Sequence, residues 1–287
     1  MTKIFDRRGA DADVVSLTSD SAEFRQIASL LYDKTGILLP SDNASLVVSR
    51  LIKHLKRLNL PSFRAYIEWV SRAENAADQA DMISLLTTNT TRFFREPYHF
   101  DIFAKICIPR ARALVAAGER VRFWSAGCSS GEEPYSLAAT LVHHWPEVAT
   151  QDVKILATDI CAPAMETARA AQYPREKLEP VPEEMRGLMT EGSGSGPIIT
   201  IPRPLRDLVS IRYLNFVEPW PTRGPFQAIF CRNVAIYMDD AVQARIWHGL
   251  SDLLEPGGLL FIGHSERLPN SLNSELKLID RTTFQRQ

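Results

Sequence analysis

The chain has 287 residues, 45% of them hydrophobic and 23% charged, with 33 Lys plus Arg against 34 Asp plus Glu. That is the composition of a folded chain with room for one large domain or two smaller ones, and it excludes a disordered chain and a small disulfide scaffold. A formal charge of −1 offers no overall positive field, so non-specific nucleic-acid binding is not expected.

No apolar run approaches the roughly 18 residues of a membrane-spanning helix, and the first residues turn charged before a signal-peptide core could form. A cytoplasmic location is expected. Cys107, Cys128, Cys161 and Cys231 lack CxxC spacing and join no histidine in a metal-ligand pattern, so no metal is expected and the thiols read as structural.

Residues 1–18 lack periodicity and read as a loose tail, followed by a helical domain over 19–90. Ser19-Asp20 offers an N-cap; Phe24, Ile27, Leu30 and Leu31 form an apolar face that Gly36 terminates. A second helix runs from about Ser41 to Leu58, with Val48, Leu51, Leu55 and Leu58 inward. Arg50, Lys53 and Arg57, at i, i+3 and i+7, share its other face. Pro61-Ser62 opens a third helix carrying Phe63, Tyr66, Ile67 and Val70, and a fourth lies around Met82 to Leu86.

From about residue 91 to the end the pattern changes. Helices over Pro97 to Ala117 lead into apolar runs at Val121–Ser125, Val153–Thr158, Ile211–Asn215, Phe226–Cys231 and Gly258–Gly263, separated by helix-length stretches. This alternation predicts an α/β fold with a doubly wound, mostly parallel sheet, which Leu276–Asp280 and Thr283–Arg286 close as a hairpin. Between Tyr173 and Ser210 six prolines and the run Gly192-Ser-Gly-Ser-Gly-Pro197 mark an insertion, about residues 175–208, with a β-hairpin expected around Ile198 to Ile201.

The first of these strands ends in Ala126-Gly-Cys-Ser-Ser-Gly131, a small-residue turn of the kind that lets a ligand approach the backbone at the carboxyl end of a sheet. It lacks full GxGxxG spacing and a P-loop Lys-Ser/Thr, which disfavours NAD and ATP; the same turn could serve only to pack a helix. The next strand ends at Asp159, which could accept a ribose or cap the following helix.

Five ordered segments carry a resemblance: Thr87-Thr-Asn-Thr-Thr-Arg-Phe-Phe-Arg-Glu96, Trp124-Ser-Ala-Gly-Cys-Ser-Ser-Gly-Glu-Glu-Pro-Tyr-Ser136, Ala157-Thr-Asp-Ile160, Phe230-Cys-Arg-Asn-Val234 with Tyr237, and Gly263-His-Ser-Glu266. Together they resemble the bacterial chemotaxis receptor glutamate O-methyltransferases, over almost the whole chain. The resemblance implies an N-terminal all-helical substrate-recognition domain, a methyltransferase sheet with a small inserted β-subdomain, and S-adenosylmethionine as cofactor. It implies that Asn89, Thr91 and Arg95 contact the cofactor, Arg95 near its methionyl end. Glu132 or Glu133 would meet its amino group, Asp159 the ribose, Asn215 and Phe216 the adenine, and Arg232 and Asn233 would line the site. Arg95 and Tyr237 would be the catalytic side chains, although Arg95 could instead pair with Glu96 on the surface and Tyr237 could be an aromatic packed under a helix. Where relatives carry an aromatic and an arginine before the glycine-rich turn, this chain has Leu188-Met-Thr-Glu191.

Methyl transfer to a carboxylate needs no general base, because glutamate is already ionised at neutral pH; catalysis then rests on alignment. The implied substrate is the glutamate-rich cytoplasmic helix bundle of chemoreceptors, with Arg50, Lys53 and Arg57 as its docking face. No nucleic-acid partner and no membrane insertion are expected, and the protein is read as a monomer. The rivals are a non-catalytic S-adenosylmethionine-binding regulator of the same fold and a methyltransferase acting on RNA or a small molecule.

Overall fold

The computed structural model describes residues 17–191 and 196–287. Most of the expected tail, up to residue 16, and residues 192–195 of the glycine-serine run lie outside them. Two compact units divide the chain: one ends at Thr88 and takes in Tyr237–Asp239, and the other comprises Asn89–Ile236 and Asp240–Gln287.

The helical unit contains α1 (Ala22–Thr35), α2 (Ala44–Arg57), α3 (Phe63–Val70) and α4 (Ala76–Leu86). Its boundaries have local causes. Ser21, not Ser19-Asp20, caps α1, its Oγ accepting the Phe24 N–H at 3.1 Å, and Ser62 caps α3 through the Ala65 N–H at 3.2 Å. Gly36 takes the left-handed conformation (φ 72°) that ends α1. A 3₁₀ turn over Ser41–Asn43 precedes α2, and α4 starts at Ala76 rather than near Met82. Ile27, Leu31, Val47, Leu51, Tyr66 and Val70 are fully buried in the common core. Leu30, Val48 and Leu58, expected on the buried faces, are only partly covered, because the helical period carries them to the stripe's edge.

The second unit begins with α5 (Tyr98–Ile102), a π turn over Phe103–Cys107, and α6 (Ile108–Ala116). Pro109 explains the π turn: it cannot donate to the Lys105 carbonyl and its ring would crowd that oxygen. The strands are β1 (Val121–Ala126), β2 (Val153–Asp159), β3 (Gln172–Pro174), β4 (Ile198–Thr200), β5 (Val209–Tyr213), β6 (Phe226–Cys231), β7 (Leu254–Ile262), β8 (Leu276–Asp280) and β9 (Thr283–Arg286). Seven form one sheet in the order β5-β2-β1-β6-β7-β9-β8, parallel except for the C-terminal hairpin. The crossovers contain α7 (Glu132–His144), α8 (Ala162–Ala170) and α11 (Asp240–Leu253). β5 begins at Val209 and stops at Tyr213, so Asn215 lies beyond the strand that was expected to contain it.

The insertion departs from expectation. Among the described residues β4 pairs antiparallel with β3, placing Ile199 opposite Tyr173, and the Glu191 N–H before the glycine-serine run donates to the Thr200 carbonyl at 3.2 Å. Pro202 and Pro204 directly after Ile201 lack the N–H groups that a returning strand would need. Apart from these two strands, its described residues form short helical pieces, including α9 (Glu183–Arg186) and α10 (Arg203–Arg206). Leu178, Val181, Met185 and Met189 join the same buried cluster as the sheet and α7, so the insertion is built onto the main core.

Candidate functional site

β1 and β6 are neighbours in the sheet, yet the chain leaves β1 on one side and returns to β6 on the other. Their carboxyl ends therefore border the kind of crevice in which open α/β sheets bind ligands. The turn Gly127–Gly131 lies there. Gly127 (φ 87°) and Gly131 (φ 95°) are left-handed, and a Cβ would reach 2.3 Å from Val234 Cγ2 at the first and 2.7 Å from Ala168 Cβ at the second. These glycines let the turn pack against the segment after β6 and against α8.

Asp159, at the end of β2, fastens this turn. Its Oδ2 accepts the Ser129 N–H at 2.7 Å and its Oδ1 the Cys161 N–H at 2.8 Å. Asp159 thus organises the entry to α8, although the N-cap position itself is Cys161. Burial raises its pKa above the ordinary 3.8, against the opposing effect of backbone N–H donors from Cys161, Ser129 and Ile160.

Glu132 and Glu133 are both buried but have different partners. Glu132 accepts from Ser130 Oγ at 2.6 Å and pairs with Lys177 of the insertion. Glu133 accepts from Ser125 Oγ and from Arg232 Nε, each at 2.7 Å.

Asn89 joins both parts of the site: its carbonyl accepts from Ser129 Oγ at 3.0 Å, and its Nδ2 donates to Cys161 Sγ at 3.1 Å. Thr91 and Arg95 are half-buried. Arg95 donates to the Thr90 carbonyl at 3.1 Å and, among the described residues, forms no ion pair with Glu96. Glu96 instead meets His264 Nδ1 at 2.8 Å. Burial is the largest influence on Glu96 and raises its pKa, but His264, Arg232 and His99 together hold it below the ordinary value. At the end of β5 the Leu214 N–H donates to the Asp159 carbonyl at 3.1 Å, which brings Asn215 beside that strand end. Asn215 donates to Glu218 Oε1 at 3.1 Å, and the Phe216 ring meets Trp220 edge-on at 5.6 Å.

Arg232 is a junction. Besides Glu133, its Nη1 donates to the Arg95 carbonyl at 2.6 Å and lies 3.1 Å from His99 Nδ1. Burial, and next the Arg232 charge, lower the His99 pKa to about 3, so its ring is neutral near pH 7. Asn233 is left-handed (φ 59°) and starts a turn gathered by Glu266. The Glu266 carboxylate accepts N–H groups from Asn233, Val234 and Ala235 at 2.9 Å each and from Gly263 at 2.6 Å. The Gly-His-Ser-Glu segment contributed to the resemblance, but no role for Glu266, Glu96, His99 or Lys177 was assigned from sequence. An acid four residues after the apolar β7 was the available signal for Glu266, and Glu96 stood at the end of a resembling segment as a possible partner of Arg95; His99 and Lys177 gave none.

The remaining expected site residues belong to the helical unit. The Tyr237 carbonyl accepts the Leu38 N–H at 2.8 Å, and Met238 bridges Ile37. Arg50, Lys53 and Arg57 do not form a uniform cationic face. Arg50 donates to the Leu86 and Thr87 carbonyls at 2.9 and 3.1 Å, serving the C-terminal end of α4. Arg57 pairs with Asp81 at 2.8 Å and Asp78 at 3.3 Å, whereas Lys53 is exposed. His54, Asp78 and Asp81 converge closely enough for metal ligation, but the Arg57 guanidinium supplies a cation to both carboxylates.

The strand ends bordering the crevice carry the acceptors Asp159, Glu132 and Glu133, and after β6 the buried Oδ1 of Asn233 has no partner among the described residues. That chemistry fits a cofactor bearing an ammonium, a sulfonium and ribose hydroxyls. The family model described as "CheR methyltransferase, SAM binding domain" matches residues 89–284, and "CheR methyltransferase, all-alpha domain" matches residues 22–87. A probable chemotaxis protein methyltransferase of Rhizobium etli is 42% identical over 258 residues, covering 89% of this chain and 96% of that protein. Chemotaxis protein methyltransferase 2 of Pseudomonas aeruginosa is 40% identical, covering 85% and 86%. The chemotaxis protein methyltransferase of Escherichia coli K12 is 36% identical, covering 87% and 86%. Matched along both of its units, the chain belongs to the CheR family of S-adenosylmethionine-dependent methyltransferases.

Proposed function

We propose that this methyltransferase esterifies glutamate side chains on the cytoplasmic helices of chemoreceptors and works in the cytoplasm as a monomer. The observation that carries the substrate choice is the engagement of the ionisable groups around the crevice. Glu133 pairs with Arg232, Glu132 with Lys177 and Glu96 with His264, Asp159 is held by the Ser129 and Cys161 N–H groups, and His99 is buried and neutral. An amine or hydroxyl nucleophile must lose a proton and calls for a base; a glutamate carboxylate does not. The chemotaxis names of the relatives support the same choice.

S-adenosylmethionine supplies an electrophilic methyl group on a sulfonium. The chain's part is to bind and align. Asp159 receives the ribose hydroxyls, Asn215 and Phe216 hold the adenine, and Glu132 or Glu133 takes the ammonium. Asn89 and Thr91 border the cofactor, and the Asn233 turn closes the site. Arg95 takes the methionyl carboxylate as a bidentate partner. The resemblance alone assigns Tyr237 to the transfer step and the α2 cations to the receptor.

The test is transfer of labelled methyl to purified receptor cytoplasmic fragments. Base-labile label that is released as methanol and lost when the accepting glutamates become alanine supports the reading. Base-stable label, or label retained by those variants, overturns it.

A further inference from the structure

Arg95 is flanked by two left-handed residues, Phe94 at φ 49° and Glu96 at φ 57°. Side chains other than glycine avoid this region, and such strain persists only where the surroundings over-determine it, commonly at ligand clamps. The surroundings here do so. The Phe94 N–H donates to the buried Ser136 Oγ at 3.0 Å, and the Arg95 carbonyl accepts from Arg232 Nη1 at 2.6 Å. Glu96 Oε1 accepts from His264 Nδ1 at 2.8 Å, while its Oε2 stands 3.6 Å from Arg232 Nη1. From the other side of the same guanidinium, Nε donates to Glu133 Oε2 at 2.7 Å.

One guanidinium, on a residue 6% exposed, therefore ties the strained turn to the first turn of α7 and to the end of β6. A network that served packing alone would have no reason to leave the residue at its centre uncommitted. Yet the Arg95 head group donates only to the neighbouring Thr90 carbonyl and takes part in no ion pair among the described residues. The restraint acts on the backbone on both sides of Arg95 and leaves its side chain available.

We infer that Arg232 and Glu96 are positioning residues, which hold the Phe94–Glu96 turn in its left-handed form so that the Arg95 guanidinium is preset for the carboxylate of the cofactor's methionyl end. This rests on the reading of Arg95 as a cofactor contact. It also reassigns Arg232, whose side chain acts on the cofactor through Arg95.

The experiment uses the full chain with Arg95→Ala, Arg232→Lys and Glu96→Gln, and Arg95→Ala combined with each of the other two. S-adenosylhomocysteine affinity is read by calorimetry, and amide hydrogen exchange is read over residues 93–96. A lysine cannot donate to Glu133 and to the Arg95 carbonyl with the fixed fork of Arg232. Arg232→Lys is expected to speed exchange in the turn and to weaken binding about tenfold, the size of one lost charge-assisted hydrogen bond. Glu96→Gln, nearly isosteric and suited to the case in which Arg232→Lys fails to fold, should do the same to a smaller extent. In the Arg95→Ala background both losses of affinity should disappear, which a merely structural role does not predict. Faster exchange with unchanged affinity, or losses that simply add to that of Arg95→Ala, overturns the positioning role. Unchanged affinity in Arg95→Ala itself overturns the reading of Arg95 as a cofactor contact instead.

Discussion

Asp159 Oδ2 accepts the Ser129 N–H at 2.7 Å, so the acid at the end of β2 also shapes the turn after β1. Replacing Asp159 by Ala removes the acceptor for Ser129 and Cys161 as well as the proposed ribose ligand. The cost to stability is expected to be about 1–3 kcal/mol, with a loss of cofactor affinity of similar size. Thermal denaturation and calorimetry on the same variant separate the two. A folded variant with unchanged affinity would leave Asp159 with the turn alone.

The same carboxyl sets a pH dependence. Its folded-state pKa lies above the ordinary 3.8 because of burial, so its proton returns at a higher pH than on an exposed aspartate. A raised acid pKa means that ionised Asp159 disfavours the fold above that pKa, a penalty relieved as pH falls through it. Binding of a cationic cofactor has the opposite preference and should weaken over that fall. Asp159→Asn should flatten this part of the calorimetric pH profile; a profile identical to wild type would assign it to another group.

Tyr237→Phe is expected to lower kcat and kcat/KM together while leaving S-adenosylhomocysteine affinity nearly unchanged, the pattern of a contact made only in the transition state. Equal losses of affinity and rate, or none, would remove Tyr237 from the transfer step.

On α2 the three cations should behave differently. Lys53→Glu is expected to raise KM for receptor and reduce its salt dependence, with cofactor affinity and stability unchanged, because the side chain is exposed. Arg57→Ala should cost only about 0–1 kcal/mol of stability, as expected of an exposed ion pair. Arg50→Ala should destabilise the helical unit by about 0.5–1.5 kcal/mol through loss of the Leu86 and Thr87 carbonyl contacts. A salt titration of receptor KM for each variant, with denaturant unfolding, tests the order; an unaltered KM for Lys53→Glu at low salt would place receptor docking elsewhere.

Gly127→Ala is expected to destabilise the second unit by at least about 1–3 kcal/mol, since φ 87° is unfavourable for alanine and its Cβ would lie 2.3 Å from Val234 Cγ2. Val234→Ala in the same chain should recover part of that loss, the clash but not the backbone strain. Denaturant unfolding of both single variants and the double variant measures the coupling.

Local chemistry made much of this protein readable in its sequence. The period of Phe24, Ile27 and Leu31, the caps at Ser62 and Gly36, and the alternation of apolar runs with helix-length stretches are properties of neighbouring residues, so the helical unit and the parallel sheet followed from them. The small-residue turn before Glu132 and the acid at position 159 were visible for the same reason, although the sequence left each open between a ligand role and a packing or capping one. Tertiary structure decided what depends on residues far apart in the chain. β4 found its strand partner in β3, more than twenty residues earlier in the chain, and nothing in its own run of residues names that partner. Arg232, Glu133 and Glu96 come from three separate segments, and the desolvation that makes each buried charge seek a partner exists only once the sheet has brought them together. The pairing of Arg57 is long-range in a different way, without desolvation: its spacing on α2 is fixed by helix geometry, but the carboxylates of Asp78 and Asp81 reach it only after α4 has packed alongside.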